Sequence, residues 1–436
     1  MKKLFTTVMS VLLISSSLFA SGFQINEHGA RAMSLGGAFT GLANDASAVY
    51  FNGAGMTQLS GTHFSLGATY IKPSSTFTGP VGSLSTESEL EPNFFTPINI
   101  YATHQLSDKF FVGFALNNPY GLGTEWKDDW VGRYSAVETE IRTFNFSGVL
   151  AYKVSDQFSV SAGVTYSYAD VLITRQMQGL LPTGIAAKPY LMFSDSMMEM
   201  EGDATAIGFN AAIMYKPTKC LSLGLAFKSE IEYDFEGDAT TTYPNEADAK
   251  MAEGMKAFPY GKISAPMTTP MMIAFGAAYT ANDNLTLTAD FQYNGWESYD
   301  KLEVTFDEWV HPLTGSNIST SHREYENSFI IRGGGEYILN CGTALRAGLL
   351  FDKNPVQDER LDPTLPDADR IGFNLGIGYN ITEKLSVDFA YFYLHFMERE
   401  IDNSQEFIPI SGQEIDLNGK YESSAHLIGL NFNYSL

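Results

Sequence analysis

The feature that most constrains this chain is a hairpin plan that recurs six times. Each copy has an aromatic or polar end residue, a short polar turn, and then alternating hydrophobic and small residues. The copies run HQLSDKFFVGF from His104, YKVSDQFSVSAGVTY from Tyr152, YKPTKCLSLGLAF from Tyr215, YTANDNLTLTADFQY from Tyr279, YILNCGTALRAGLLF from Tyr337 and YNITEKLSVDFAYFY from Tyr379. Longer, more acidic stretches rich in Pro, Gly and Asn separate them. Short turns alternating with long loops are the pattern of a bacterial outer-membrane barrel.

The strands carry a period of two. Phe158, Val160, Ala162, Val164, Tyr166 and Tyr168 fall on one face, and Ser159, Ser161, Gly163, Thr165 and Ser167 on the other. At the C-terminus Ile428, Leu430, Phe432, Tyr434 and Leu436 oppose Gly429, Asn431, Asn433 and Ser435. A soluble sandwich also alternates, because side chains alternate across any strand. It would turn charges outward, whereas here the second face carries Ser, Thr, Gly and Asn, and the charges gather in the loops. Only 18% of residues are charged, below the usual quarter. Bulky side chains facing lipid and small polar ones facing a lumen explain this. Tyr152, Tyr215, Tyr279, Tyr337 and Tyr379 all precede short turns and would form an aromatic girdle at one interface.

Six hairpins supply twelve strands. One more precedes them (about Gly61–Ile71) and one follows (about Tyr421–Leu436). The expectation is an all-β fold, a fourteen-stranded antiparallel transmembrane β-barrel over residues 61–436, even-numbered as such barrels require. Lys2 and Lys3, an apolar run from Leu4 to Leu13 and the small residues Ser15 to Ala20 read as a signal peptide over residues 1–20, cleaved after Ala20. The expected location is the bacterial outer membrane. Twenty-seven Lys and Arg against fifty Asp and Glu give a net charge of −23, which excludes nucleic acid as a partner. Cys220 and Cys341 fall in short turns at one rim; a bond between them is left open.

Residues 21–60 do not read as strands. They are rich in Gly and Ala, yet Phe23, Ile25, Met33, Leu35, Phe39, Val49, Tyr50 and Phe51 are too much apolar surface to leave in water. A fourteen-stranded barrel has room that wall side chains do not fill, so this segment is expected as a small N-terminal plug, or hatch, in the lumen.

Several motifs carry a family resemblance. They are Gly22-Phe23-Gln24-Ile25-Asn26-Glu27, Ala32 to Phe39, Asn44-Asp45-Ala46-Ser47-Ala48, Asn117-Asn118-Pro119-Tyr120-Gly121-Leu122, Gly132-Arg133-Tyr134-Ser135-Ala136, Leu365-Pro366-Asp367-Ala368-Asp369-Arg370 and Asn431-Phe432-Asn433-Tyr434. In this order they resemble the FadL-type transporters for long-chain fatty acids and their TodX-like relatives for aromatic hydrocarbons. The resemblance covers the mature chain. It implies a hatch inside a fourteen-stranded barrel and a kinked third strand that opens a lateral exit. It also places gating at Gly22, at Asn117, Asn118, Pro119 and Gly121, and at Asn52-Gly53-Ala54, where the family has Asn-Pro-Ala. Glycine at position 53 frees a backbone that proline would fix.

No catalytic site is expected. The chain has no H-E-x-x-H and no G-x-S-x-G motif, and no cofactor or metal is implied. His395 is read as an interfacial histidine. The positive signal is for binding greasy ligands. In Val387–Met397 the alternation fails, because Phe392, Leu394 and Phe396 share the face of Asp388 and bring aromatic bulk into the lumen. With Phe23 and Ile25 they form the expected pocket. The stretch holding Leu180, Leu181, Leu191, Met192 and Phe193 is unusually apolar for an external loop and is the expected capture site. Arg370 or Arg142 would serve a carboxylate. The expected partners are a hydrophobic small molecule and outer-membrane lipid and lipopolysaccharide around a monomer, with passive transport. The competing reading is a structural or surface-recognition barrel whose acidic loops bind partners.

Overall fold

The computed structural model describes residues 22–79, 86–177, 180–185, 188–192, 194–312, 314–410 and 413–436. Fourteen antiparallel strands close into a barrel. They are β1 (Thr62–Gly79), β2 (Ile98–Gln105), β3 (Phe110–Asn117 and Gly121–Glu125), β4 (Glu138–Lys153), β5 (Phe158–Met177), β6 (Ser196–Tyr215) and β7 (Leu221–Lys228 and Ile231–Thr242). The circuit continues through β8 (Gly261–Thr269 and Met272–Thr280), β9 (Leu285–Asn294 and Lys301–Phe306), β10 (Ile318–His322 and Ser328–Ile338), β11 (Ala344–Asp352), β12 (Arg370–Asn380), β13 (Leu385–Phe396) and β14 (Gly419–Ser435). β14 closes on β1 in unbroken register from His63 opposite Ser435 to Thr78 opposite Lys420. Closure leaves no edge, so a sheet can cross lipid with its backbone paired.

The alternation reads onto the two faces as the sequence requires. Val164 and Tyr166 on β5, Phe373, Leu375 and Ile377 on β12, and Leu430 and Phe432 on β14 point outward. Ser161, Thr165 and Ser167 point inward, as do Asn374 and Asn431. β1 runs on to Gly79, beyond the predicted Ile71. On the outward face of its upper half Lys72, Ser74, Thr76 and Thr78 carry no apolar side chain, so the outward hydrophobic period stops while the ladder continues.

The hatch fills the lower lumen. Short helices α1 (Ala30–Ser34) and α2 (Ala48–Phe51) and a 3-10 turn over Gly53–Gln58 pack against the inner wall. Wall side chains satisfy its backbone. The Asp290 carboxylate accepts from the amides of Phe39 (2.9 Å) and Thr40 (2.8 Å), Asn431 accepts from Ala30 (2.9 Å), and Asn374 donates to Met33 (2.7 Å). Gly36 has φ +70 and lies so near β11 that a Cβ would come within 2.8 Å of the Leu349 carbonyl. Beside it, Arg31 pairs with Asp45 (3.2 Å) and Glu336 (3.0 Å), and Arg346 with Glu336 and Asp388 (both 2.6 Å). Each of these five side chains has a partner of opposite sign, which burial demands.

Candidate functional site

The wall is interrupted in β3. The residues at 118–120 stand opposite only 143 and 144, because Asn117 pairs with Asn145 and Gly121 with Arg142. One extra residue bends a strand and unpairs it locally, and Pro119 has no amide to donate. β2 follows β3 only up to Asn99 opposite Asn117. Above that, the chain at 95–97 turns to β1, where Thr69 donates to Pro97 (3.0 Å) and Ile71 to Phe95 (2.8 Å). Among the described residues no ladder joins β2 to the upper half of β3. The Asn118 side chain braces the gap, accepting from the Ile98 amide (2.8 Å) and donating to the Thr143 carbonyl (2.6 Å).

The start of the hatch lies across this break from the inside. Ile25 donates to the Pro119 carbonyl (2.9 Å) and Gly121 to the Phe23 carbonyl (3.0 Å), so Gln24 and Tyr120 pair as two strands would. Gly22 has φ +61; its amide donates to Asp367 (2.9 Å) and its carbonyl accepts from Arg370 (3.1 Å).

A cavity of about 490 Å³ opens directly behind the break. Ile25, Phe95, Ile98, Phe392, Leu394 and Phe396 supply its apolar surface, and Phe23 closes one end. Phe23 is buried edge-on against Tyr120 (5.9 Å), Trp296 (4.9 Å) and Tyr299 (5.9 Å). Beyond this partition lies a second cavity of about 170 Å³, lined by Phe23, Met200, Phe235, Met267 and Arg175. The Arg175 Nε is shielded from solvent and has no hydrogen-bond partner. On the floor of the larger chamber, burial pushes the Glu27 carboxyl up to about 7, against a hydrogen bond from the Asn26 amide and the pull of Arg370.

The structure therefore brings Gly22, Phe23, Ile25, Asn118, Gly121, Arg370, Phe392, Leu394 and Phe396 together around one chamber. Asn117 and Pro119 sit just below it. Leu180, Leu181, Leu191 and Met192 fall in a separate hairpin, with Leu180 opposite Met192 and Leu181 opposite Leu191; Phe193 lies outside the described residues. Arg370 reaches the chamber but is engaged by Asp352 (3.5 Å) and Asp367 (3.7 Å). Arg142 is a correction. It stands on the outward face of β4, bound to Asp170 (2.7 Å), because it shares the parity of Phe144 and Phe146, so it borders the chamber from the outer side of the wall and not from within the lumen.

The Asn52-Gly53-Ala54 turn is also stiffer than glycine alone would make it. Asn52 accepts from Ala54 (3.1 Å) and donates to Thr40 and Ile213 (both 3.0 Å), and a Cβ on Gly53 would meet Val149 at 2.7 Å. Cys220 and Cys341 are free and exposed in short turns. Sequence reasoning missed Phe95, Trp296 and Arg175. Phe95 and Trp296 lie in irregular segments without a period to read, and Arg175 lies above the apolar part of β5.

The fold has known counterparts. A Pseudomonas aeruginosa FadL homologue superposes with a TM-score of 0.81 at 22% identity, covering 95% of this chain and all of that one. The Ralstonia pickettii toluene transporter TbuX gives 0.67 at 17% identity, covering 94% and 98%. In sequence, the long-chain fatty acid transport protein of Escherichia coli O6:H1 (strain CFT073) is 26% identical over 460 residues, covering 100% of this chain and 99% of the other. Outer membrane protein P1 of Haemophilus influenzae is 27% identical over 472 residues, covering 98% and 97%. The profile of the outer membrane protein transport protein family (OMPP1/FadL/TodX) matches residues 11–436, and the chain belongs to that family of bacterial outer-membrane transport proteins.

Proposed function

We propose that this protein passes hydrophobic small molecules, of the long-chain fatty acid or aromatic hydrocarbon class, passively from the cell surface into the outer membrane. The observation that carries the reading is the apolar chamber of about 490 Å³ set directly behind an unpaired stretch of wall. Its volume is that of a small-molecule site. Water-filled bores of general porins have no such apolar lining, and here the buried ion pairs and the hatch occupy the lumen below.

The steps run from the apolar sequence of an external hairpin to the chamber and then to the break. A ligand is captured at the hairpin of Leu180, Leu181, Leu191 and Met192, enters the upper lumen, and settles against Phe23, Ile25, Phe392, Leu394 and Phe396. It leaves sideways between β2 and β3, past the Phe95 ring. The break is nine residues above the outward Phe110, which places it roughly 20–25 Å up the wall at ~3.3 Å per residue and ~40° tilt, near the outer edge of the apolar band. An apolar solute leaving there exchanges protein for hydrocarbon without crossing water, so no energy source is required.

Closing the break tests the reading. Deleting Pro119 leaves two residues opposite 143 and 144 and restores regular register. Delivery of an apolar ligand to the bilayer should stop while the ligand still reaches the lumen; undiminished delivery sinks the lateral route.

A further inference from the structure

The outer face of the wall changes character at one height on three adjacent strands. Tyr70 of β1, Ile428 of β14 and Tyr391 of β13 stand in one outward row. The next outward row is Lys72, His426 and Tyr393, and the one above it is Ser74, Ser424 and His395. Directly opposed residues have Cβ atoms ~5 Å apart, so each row is a contiguous surface. Below these rows the face is apolar, through Leu66, Phe389, Leu430 and Phe432. Lys72 is eight positions beyond the outward Phe64, which puts the polar rows roughly 20 Å up the wall at ~3.3 Å per residue and ~40° tilt. That is near the outer edge of the ~25 Å apolar band, where lipid head groups begin.

The polar rows are built of donors. The Tyr391 hydroxyl bonds the His426 Nδ1 (2.8 Å). With the phenol donating, the ring proton sits on Nε2 and offers an N–H to an incoming acceptor. Tyr393 packs on His426 (5.0 Å between ring centroids) and His395 on Tyr393 (6.4 Å). Lys72 is exposed and has no carboxylate within ion-pair distance among the described residues. The other outward cations of the upper barrel strands are held: Arg142 by Asp170 (2.7 Å), Lys262 by Asp238 (2.7 Å), Lys301 by Glu303 (2.8 Å) and Lys420 by Glu398 (2.8 Å). The nearest outward carboxylate on β14, Glu422, lies one row higher and is taken by Lys420 (3.2 Å). The other side of the barrel is the reverse. On β6 and β7 the upper outward face carries Glu199, Asp203, Glu232 and Asp234, all exposed. An anionic head group is repelled there and accepted on β13, β14 and β1. We propose that this face binds the phosphate of an outer-leaflet lipopolysaccharide, with Lys72 and His426 on the phosphate oxygens and the acyl chains down the apolar column beneath. Phosphate takes charge-assisted hydrogen bonds from an ammonium, and the tyrosine and serine hydroxyls add neutral ones. Phe94 stacks on Tyr70 (5.4 Å) next to Phe95 of the break, so the seated lipid borders the outlet.

The experiment uses the full mature barrel in non-ionic detergent and reads the affinity of bisphosphorylated lipid A by native mass spectrometry. Lys72→Gln combined with His426→Gln should weaken lipid A at least tenfold. Lys72→Gln alone, an exposed change on which no packing depends, should weaken it at least threefold. Lys72→Arg should keep most of the affinity, and Lys262→Gln, on the acidic side, should stay within twofold of wild type. Wild-type protein should bind lipid A stripped of both phosphates at least tenfold more weakly. The heat-modifiable band shows that each variant is folded. Equal binding of the two lipids marks the face as a plain aromatic girdle and overturns the assignment. So does affinity within twofold of wild type in Lys72→Gln or in the double variant. A loss in Lys262→Gln as large as in Lys72→Gln moves the lipid elsewhere and also overturns it. Inorganic phosphate bound by wild type as tightly as lipid A assigns the patch to a free anion, with the same consequence.

Discussion

Truncating Phe23 should unlatch the hatch tip without touching the barrel. The ring is buried among Tyr120, Trp296 and Tyr299 at centroid distances of 5.9, 4.9 and 5.9 Å, all edge-on. Phe→Ala in a packed site costs about 3–5 kcal/mol, and here it also merges two cavities that the ring now separates. The loss falls on the local opening of residues 22–25, because the strand ladders do not depend on that ring. At about 1.4 kcal/mol per factor of ten, the open population should rise roughly 100- to 4,000-fold. Native-state hydrogen exchange reads this directly. The Ile25 amide, bonded to Pro119, and the Gly121 amide, bonded to Phe23, should lose protection by that factor, while amides in β12 to β14 stay unchanged. Protection of Ile25 within threefold of wild type would refute the idea that Phe23 holds the tip on the break.

Two further outcomes concern the hatch. The Glu27 carboxyl is raised from 4.5 to about 7, so the packed hatch holds its proton more tightly than the free segment does. Its contribution is complete below about 4.5 and is lost as pH rises through 7, by about 3 kcal/mol. Tryptic cleavage at Arg31 should therefore accelerate at pH 8.5 relative to pH 6 by at least tenfold more in wild type than in Glu27→Gln; equal pH responses would contradict it. Asp290→Ala strands the amides of Phe39 and Thr40, at about 1–3 kcal/mol each. The same cleavage should speed up by at least tenfold while the heat-modifiable barrel band persists, and an unchanged rate would show that the hatch is held elsewhere.

Much of this architecture is readable from residue order because lipid imposes a rule that few soluble folds share. Phe373, Leu375 and Ile377 alternate with Gly372, Asn374 and Gly376, and their neighbours repeat the same parity, so strand number and facing follow together. Parity also contained the direction of Arg142, which a count from Phe144 and Phe146 would have turned outward. Pairing was not readable in the same way. Arg370 looked like a free cation because Asp352 is eighteen positions away in sequence, on the neighbouring strand. The aromatic partition was hidden for another reason. Phe23, Tyr120, Trp296 and Tyr299 come from the hatch and from strand interruptions, where neither a period of two nor one of 3.6 operates.

The central claim is that ligand leaves through the wall at β3, and reconstituted delivery tests it most directly. Wild-type barrel and the Pro119 deletion would be placed in liposomes, with binding of 1-hexadecanol measured on each protein in detergent and transfer of a hydrophobic fluorescent probe into the bilayer followed by stopped flow. The account predicts comparable binding and a transfer rate for the deletion that falls to the level of protein-free liposomes. Transfer at the wild-type rate through a wall whose β3–β4 register has been made regular would contradict it.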